Sequence, residues 1–67
     1  MLQVHIGFLR QARRNSKMSL FQAAQALGIN KSTLSKYERG KSKVKSDTLL
    51  KMAEIYNVPI EELLKEV

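Results

Sequence analysis

The chain has no cysteine and no tryptophan, one proline, one histidine and three glycines in 67 residues. Without cysteine there is no disulfide and no thiolate metal site, which suits a reducing compartment. A lone His5 among scattered carboxylates offers no metal-ligand spacing, and nothing pairs a nucleophile with a base. His5 reads instead as a helix-end residue. Three dispersed glycines exclude a glycine-rich loop that cradles phosphate. The sequence therefore points to no enzyme, no metal and no cofactor. No apolar run approaches the ~20 residues that cross a bilayer, and no leader pattern opens the chain. The expectation is a soluble, cytoplasmic protein without membrane contact. Sixty-seven residues form a single domain, 1–67, near the lower limit for a core that is stable alone. Such a domain gains stability by dimerising or by binding a ligand.

Acidic residues are scarce as well, and unevenly so. The net charge is +6 and the isoelectric point about 10.0. Up to residue 45, Arg10, Arg13, Arg14, Lys17, Lys31, Lys36, Arg39, Lys41, Lys43 and Lys45 face Glu38 alone. Beyond it, Lys51 and Lys65 face Asp47, Glu54, Glu61, Glu62 and Glu66. One end of the molecule is basic and the other acidic. Scattered lysines can serve solubility alone, whereas a segregated dipole suits a polyanionic partner.

What the chain does have is helical punctuation. Ser19 followed by Gln22 has the spacing of a capping box. Gly28 suits the left-handed residue after a helix, Asn30 is placed to cap the next one, and Gly40 stops it. Ala23, Ala24, Leu27, Ile29, Leu34 and Tyr37 are small or apolar where two helices must cross closely. Helices are expected over about Ile6–Ser16, Leu20–Leu27 and Lys31–Arg39. A fourth, capped by Ser46, should run through Tyr56 on a stripe of Leu49, Met52, Ala53 and Tyr56. Asn57 can take the left-handed conformation at its end. Pro59, with Glu61 and Glu62 in the first turn, should open a fifth helix. Leu2, Val4, Ile6 and Phe8 alternate as a strand would, although Leu2, Ile6, Leu9 and Ala12 fit a helical stripe equally well.

The block Ser19–Gly40, ending Tyr37-Glu38-Arg39-Gly40, resembles the helix-turn-helix of XRE or Cro/CI-type regulators. The runs Asp47-Thr48-Leu49-Leu50-Lys51-Met52-Ala53 and Asn57-Val58-Pro59-Ile60-Glu61-Glu62-Leu63 resemble the later helices of that domain. The resemblance covers about residues 5 to 65. It implies an all-α, five-helix, lambda-repressor-like domain with its helix-turn-helix at about 19–40. It also implies a dimeric repressor that binds a palindromic operator in double-stranded DNA and associates with the nucleoid when bound. Base contacts are implied chiefly for the positions of Lys31, Ser32 and Lys36. Thr33 and Ser35 are within reach of a base edge or a phosphate.

Phosphate contacts are implied for Ser19, Arg39, Lys41 and Lys43, and a structural ion pair for Arg13 and Glu38. The alternative for Glu38 is a surface carboxylate balancing its lysine neighbours. Ile60, Leu64 and Val67 are the first candidates for a homodimer interface, and Leu2, Val4 and Ile6 the second. The chain departs from the family pattern in three respects. Leu20 stands where many members have a phosphate-binding glutamine. Ala12 and Ala23 stand where leucine is commoner. Phe8 and Phe21 replace polar residues. The phenylalanines either turn inward and fill the lost volume, which is the favoured reading, or form an exposed patch for a partner. Two alternatives keep the fold and change the role. One is an antitoxin or restriction-modification controller that also binds a protein, through Phe21 or the acidic half. The other is an interaction scaffold that does not bind DNA.

Overall fold

Local signals settle most of the chain. In the computed structural model, which describes residues 1–67, helices form over α1 (Ile6–Asn15), α2 (Leu20–Leu27), α3 (Lys31–Glu38) and α4 (Ser46–Tyr56). The capping box at α2 is closed: Gln22 N donates to Ser19 Oγ at 3.1 Å and Ser19 N donates to Gln22 Oε1 at 2.9 Å. Gly28, at φ +72°, ends α2 while Ile29 N donates back to Ala24 O at 3.0 Å. Gly40, also at φ +72°, turns the chain after α3, and Lys41 N donates to Lys36 O at 2.9 Å. Asn57 ends α4 at φ 55°. His5 caps α1, its Nδ1 accepting from Phe8 N at 3.2 Å.

Two expected caps are absent. Asn30 occupies the cap position of α3 but its side chain makes no capping hydrogen bond. Ser46 is the first residue of α4, Lys45 takes the cap position, and Asp47 Oδ1 accepts from Thr48 N at 2.9 Å. Asp47 also places a negative charge in the first turn, where the helix dipole favours it.

The fold is helical, with four α-helices and not five. After Pro59 the chain makes only a 3₁₀ turn, Ile60–Leu63, and then extends as β2 (Leu64–Glu66). That strand pairs antiparallel with β1 (Leu2–Val4), matching Leu2 with Glu66, Gln3 with Lys65 and Val4 with Leu64. His5 N donates to Leu63 O at 2.8 Å to extend the ladder. A two-turn helix gains little from its own hydrogen bonds, whereas the ladder satisfies the backbone of both ends of the chain. Ile60, Leu64 and Val67 therefore share no helix face. Leu64 packs against the core and Val67 is exposed.

The core joins all four helices: Leu9 and Ala12 from α1, Ala23, Ala24 and Leu27 from α2, Leu34 and Tyr37 from α3, and Leu49, Met52, Ala53 and Tyr56 from α4. Leu63 closes it from the 3₁₀ turn. Phe8 packs against this cluster, but Phe21 remains 61% exposed, so only one of the two phenylalanines turns inward.

One buried ion pair crosses the helices. Arg13 Nε donates to Glu38 Oε2 at 2.7 Å and Arg13 Nη2 to Glu38 Oε1 at 3.1 Å, with side chains only 11% and 6% exposed. Arg13 Nη1 donates to Met18 O at 2.9 Å, which ties the α1–α2 connection to the same group. The hydrogen bond to Glu38 holds the guanidinium pKa above its ordinary value, against the opposing effect of burial. Beside this pair lies Tyr56, 4% exposed, with a hydroxyl that has no hydrogen-bond partner. Burial first, and the charge of Glu38 second, push its pKa up to about 12, while Arg13 pulls the other way.

Two outcomes follow in solution. Arg13→Ala or Glu38→Ala alone should lower the urea-unfolding free energy by about 3–5 kcal/mol, because each strands a buried charge. The double change Arg13→Met with Glu38→Leu should recover most of that loss. For Tyr56, the unfolded chain ionises near pH 10 and the folded one near 12. Stability is therefore whole below pH 10 and should fall by about 2–3 kcal/mol as the pH climbs to 12. Tyr56→Phe should abolish that part of the alkaline loss without weakening the protein at pH 7, since its hydroxyl leaves no partner behind.

Candidate nucleic-acid interface

The orientation of α3 follows from which of its residues are buried. Leu34 and Tyr37 enter the core and Glu38 meets Arg13, so one side of this short helix is committed inward. At 100° per residue the opposite side carries Ser32, Ser35, Lys36 and Arg39, with Lys31 at its edge. Lys31, Ser32, Lys36 and Arg39 are exposed and Ser35 is half-buried. Arg39 Nε donates to Ser35 O at 3.4 Å, which lays its guanidinium back along this face. Thr33 is half-buried and falls on the far edge, next to the side that holds Tyr37. It is brought together with Lys36 and Ser32, and not with Ser35.

The remaining candidate residues flank α3 at different places. Ser19 is exposed at the start of α2. Its backbone N–H and one lone pair of Oγ serve the capping box, and its hydroxyl proton stays free to donate. The N–H groups of Leu20 and Phe21 lie ahead of the first intrahelical bond and have no acceptor within the helix. Lys41 and Lys43 sit in the connector after Gly40, on the rim of an open groove of about 550 Å³ shared with Met1, Gln3, Val4 and Ile6. Gly40 matters here because a side chain at φ +72° would be strained, and this turn sets the direction in which the connector lysines leave α3.

Asn30, expected to cap α3, instead has an amide that is exposed and unused at the entrance to the helix. It leaves both a donor and an acceptor free. No local signal distinguishes an asparagine that caps from one that does not. A second groove, about 250 Å³, opens between α1, the start of α2 and α3. Arg10, Arg13, Leu20, Ser35, Glu38 and Arg39 line it. No group of His, Cys, Asp or Glu side chains is arranged to hold a metal ion, and no helix is long and apolar enough to cross a membrane.

The helix-turn-helix family profile matches residues 9–63, from the first core residue of α1 to Leu63. The chain belongs to the XRE-type helix-turn-helix family. Within this family it is 39% identical over 56 residues to the HTH-type transcriptional regulator ImmR of Bacillus subtilis, covering 84% of this chain and 44% of the relative. It is 33% identical over 58 residues to the cryptic phage CTXphi transcriptional repressor RstR of Vibrio cholerae, covering 87% and 52%. A putative HTH-type transcriptional regulatory protein of Methanoculleus marisnigri is 39% identical over 57 residues, covering 85% and 18%. The chain thus spans between 18% and 52% of the length of these relatives. In this helix-turn-helix, α2 is the supporting helix and α3 the one with the exposed polar face.

The capping geometry separates two substitutions that look alike in sequence. Ser19→Ala should cost about 1 kcal/mol by urea unfolding, through loss of the capping box. Asn30→Ala should leave stability unchanged within error, since no capping bond is lost.

Proposed function

We propose that this chain is a sequence-specific DNA-binding transcriptional regulator that acts as a dimeric repressor on a palindromic operator. The observation that carries the reading is the outer face of α3: two lysines, an arginine and two serines around a helix whose other side is locked into the core. The N-terminal part of such a helix enters the major groove. Lys31 and Lys36 are long enough to reach guanine O6 and N7, and Ser32, Ser35 and Thr33 can bond a base edge or a neighbouring phosphate. Arg39, Lys41, Lys43 and the start of α2 at Ser19 meet the phosphate backbone and set register without reading sequence. The relatives named as a regulator and a repressor support the same role. Repression follows from occupying a promoter and excluding polymerase.

A dimer would place two copies of α3 on half-sites about 34 Å apart, one helical turn of DNA. The apolar residues left exposed at the two-stranded ribbon and its end are Met1, Leu2 and Val67, and the dimer contact is assigned there in place of a fifth helix.

Selection of binding sites from a random duplex pool tests the proposal, with Lys36→Ala run alongside. The wild type should enrich a two-fold symmetric motif. The variant, equally stable because Lys36 is exposed, should lose or alter it, with a penalty of about 1–3 kcal/mol at the affected base pair. Enrichment of no sequence by either protein would refute specific DNA recognition.

A further inference from the structure

Leu20 leaves a problem at the start of α2. Its side chain is apolar, half-buried and packed against the core, so it cannot reach a phosphate from there. Yet the groove that Leu20 borders is strongly basic. Three guanidinium groups and one carboxylate line it. Arg13 and Glu38 neutralise each other through their paired hydrogen bonds. Arg10 and Arg39 are left, both exposed and neither in an ion pair. They approach from opposite sides: Arg10 projects from α1, one turn before Arg13, and Arg39 from the end of α3 beside Ser35. Between them lie Ser35 and Leu20 at the start of α2. Nothing acidic and uncompensated faces this groove.

Two guanidinium forks and a hydroxyl around a space of about 250 Å³ are donors that a tetrahedral oxyanion takes up. We propose that this groove seats one backbone phosphate of the DNA, with Arg10 as its principal side-chain ligand and Arg39 as the second. Helix α1 thereby becomes a third DNA-contacting element beside α2 and α3. The ion pair Arg13–Glu38 forms the floor of the groove and holds α1 and α3 at the spacing the two arginines need. This assignment rests on the DNA-binding reading above and names a contact within it. It also explains how the chain can lack a polar side chain at position 20 without losing a phosphate clamp.

The test is duplex binding by wild type, Arg10→Ala and Lys51→Ala, the last an exposed cation on α4 in the acidic half. Each is measured at 50 and 200 mM salt on the duplex enriched from the random pool. One lost phosphate contact lowers the salt slope by about 0.9, so the wild-type advantage over Arg10→Ala should shrink by about threefold between the two salts. Sequence preference and melting temperature should stay as in the wild type, and Lys51→Ala should track the wild type throughout. A scan with single neutral methylphosphonates should find one backbone position that weakens the wild type but does not further weaken Arg10→Ala. If Arg10→Ala tracks the wild type at both salts, or the scan is identical for the two proteins, the groove holds no phosphate while DNA recognition by α3 stands. If the wild type shows no salt-dependent duplex binding, the DNA-binding reading itself fails, and the assignment falls with it.

Discussion

The contact between Arg13 and Glu38 is the constraint on which the rest of the arrangement depends. It is the one buried ion pair, it bridges α1 and α3, and it also holds the carbonyl of Met18 just before α2. A helix of eight residues anchored by Leu34 and Tyr37 alone would keep some freedom to roll about its axis. A two-point guanidinium–carboxylate bond removes that freedom, because its geometry is planar and directional. Once the roll of α3 is fixed, so is the set of side chains it shows to solvent. A structural interaction thus decides which residues can read a ligand.

The surface chemistry follows from this division of labour. The core-facing positions of α2 and α3 are apolar or engaged, and the outer side of α3 carries Ser32, Ser35, Lys36 and Arg39. Apart from Glu38, which Arg13 neutralises, the acidic residues lie on α4 and the segment after it, away from the helix-turn-helix in sequence. The surplus of lysine and arginine up to residue 45 attracts a polyanion before any specific bond forms.

Helices α1 to α4 were legible within a residue at either end, because their stops are chemical: a capping box at Ser19 and Gln22, left-handed residues at Gly28, Gly40 and Asn57. The tail was not. Its signals, Pro59 followed by Glu61 and Glu62, do describe the start of a helical turn, and a 3₁₀ turn forms there. What ends it after Leu63 is a strand more than sixty residues earlier, Leu2–Val4, and no local pattern reports a partner at that distance. The alternation in Leu2, Val4 and Ile6 was the only hint. Phe8 and Phe21 illustrate the same limit. Phe8 lies on the core side of α1, while Phe21 falls on the outer side of α2, and this difference lies in the helix crossing, not in the residue type. At the candidate interface, Lys31, Ser32 and Lys36 are singled out by the family resemblance, and helical spacing puts them on the outer side of α3. The groove that unites Arg10, Leu20 and Arg39 was not legible, since it is assembled from three separate helices.

Amide chemical-shift mapping of the labelled protein during titration with the selected duplex is the most direct test of the central claim, that the outer side of α3, whose roll the Arg13–Glu38 lock fixes, meets DNA. The account predicts that shifts concentrate at Leu20 and Phe21, along Lys31 to Arg39 and in Lys41 to Lys43, with α4 silent. Shifts that gather instead around Leu50, Glu54 and Pro59, on the acidic side, would contradict it.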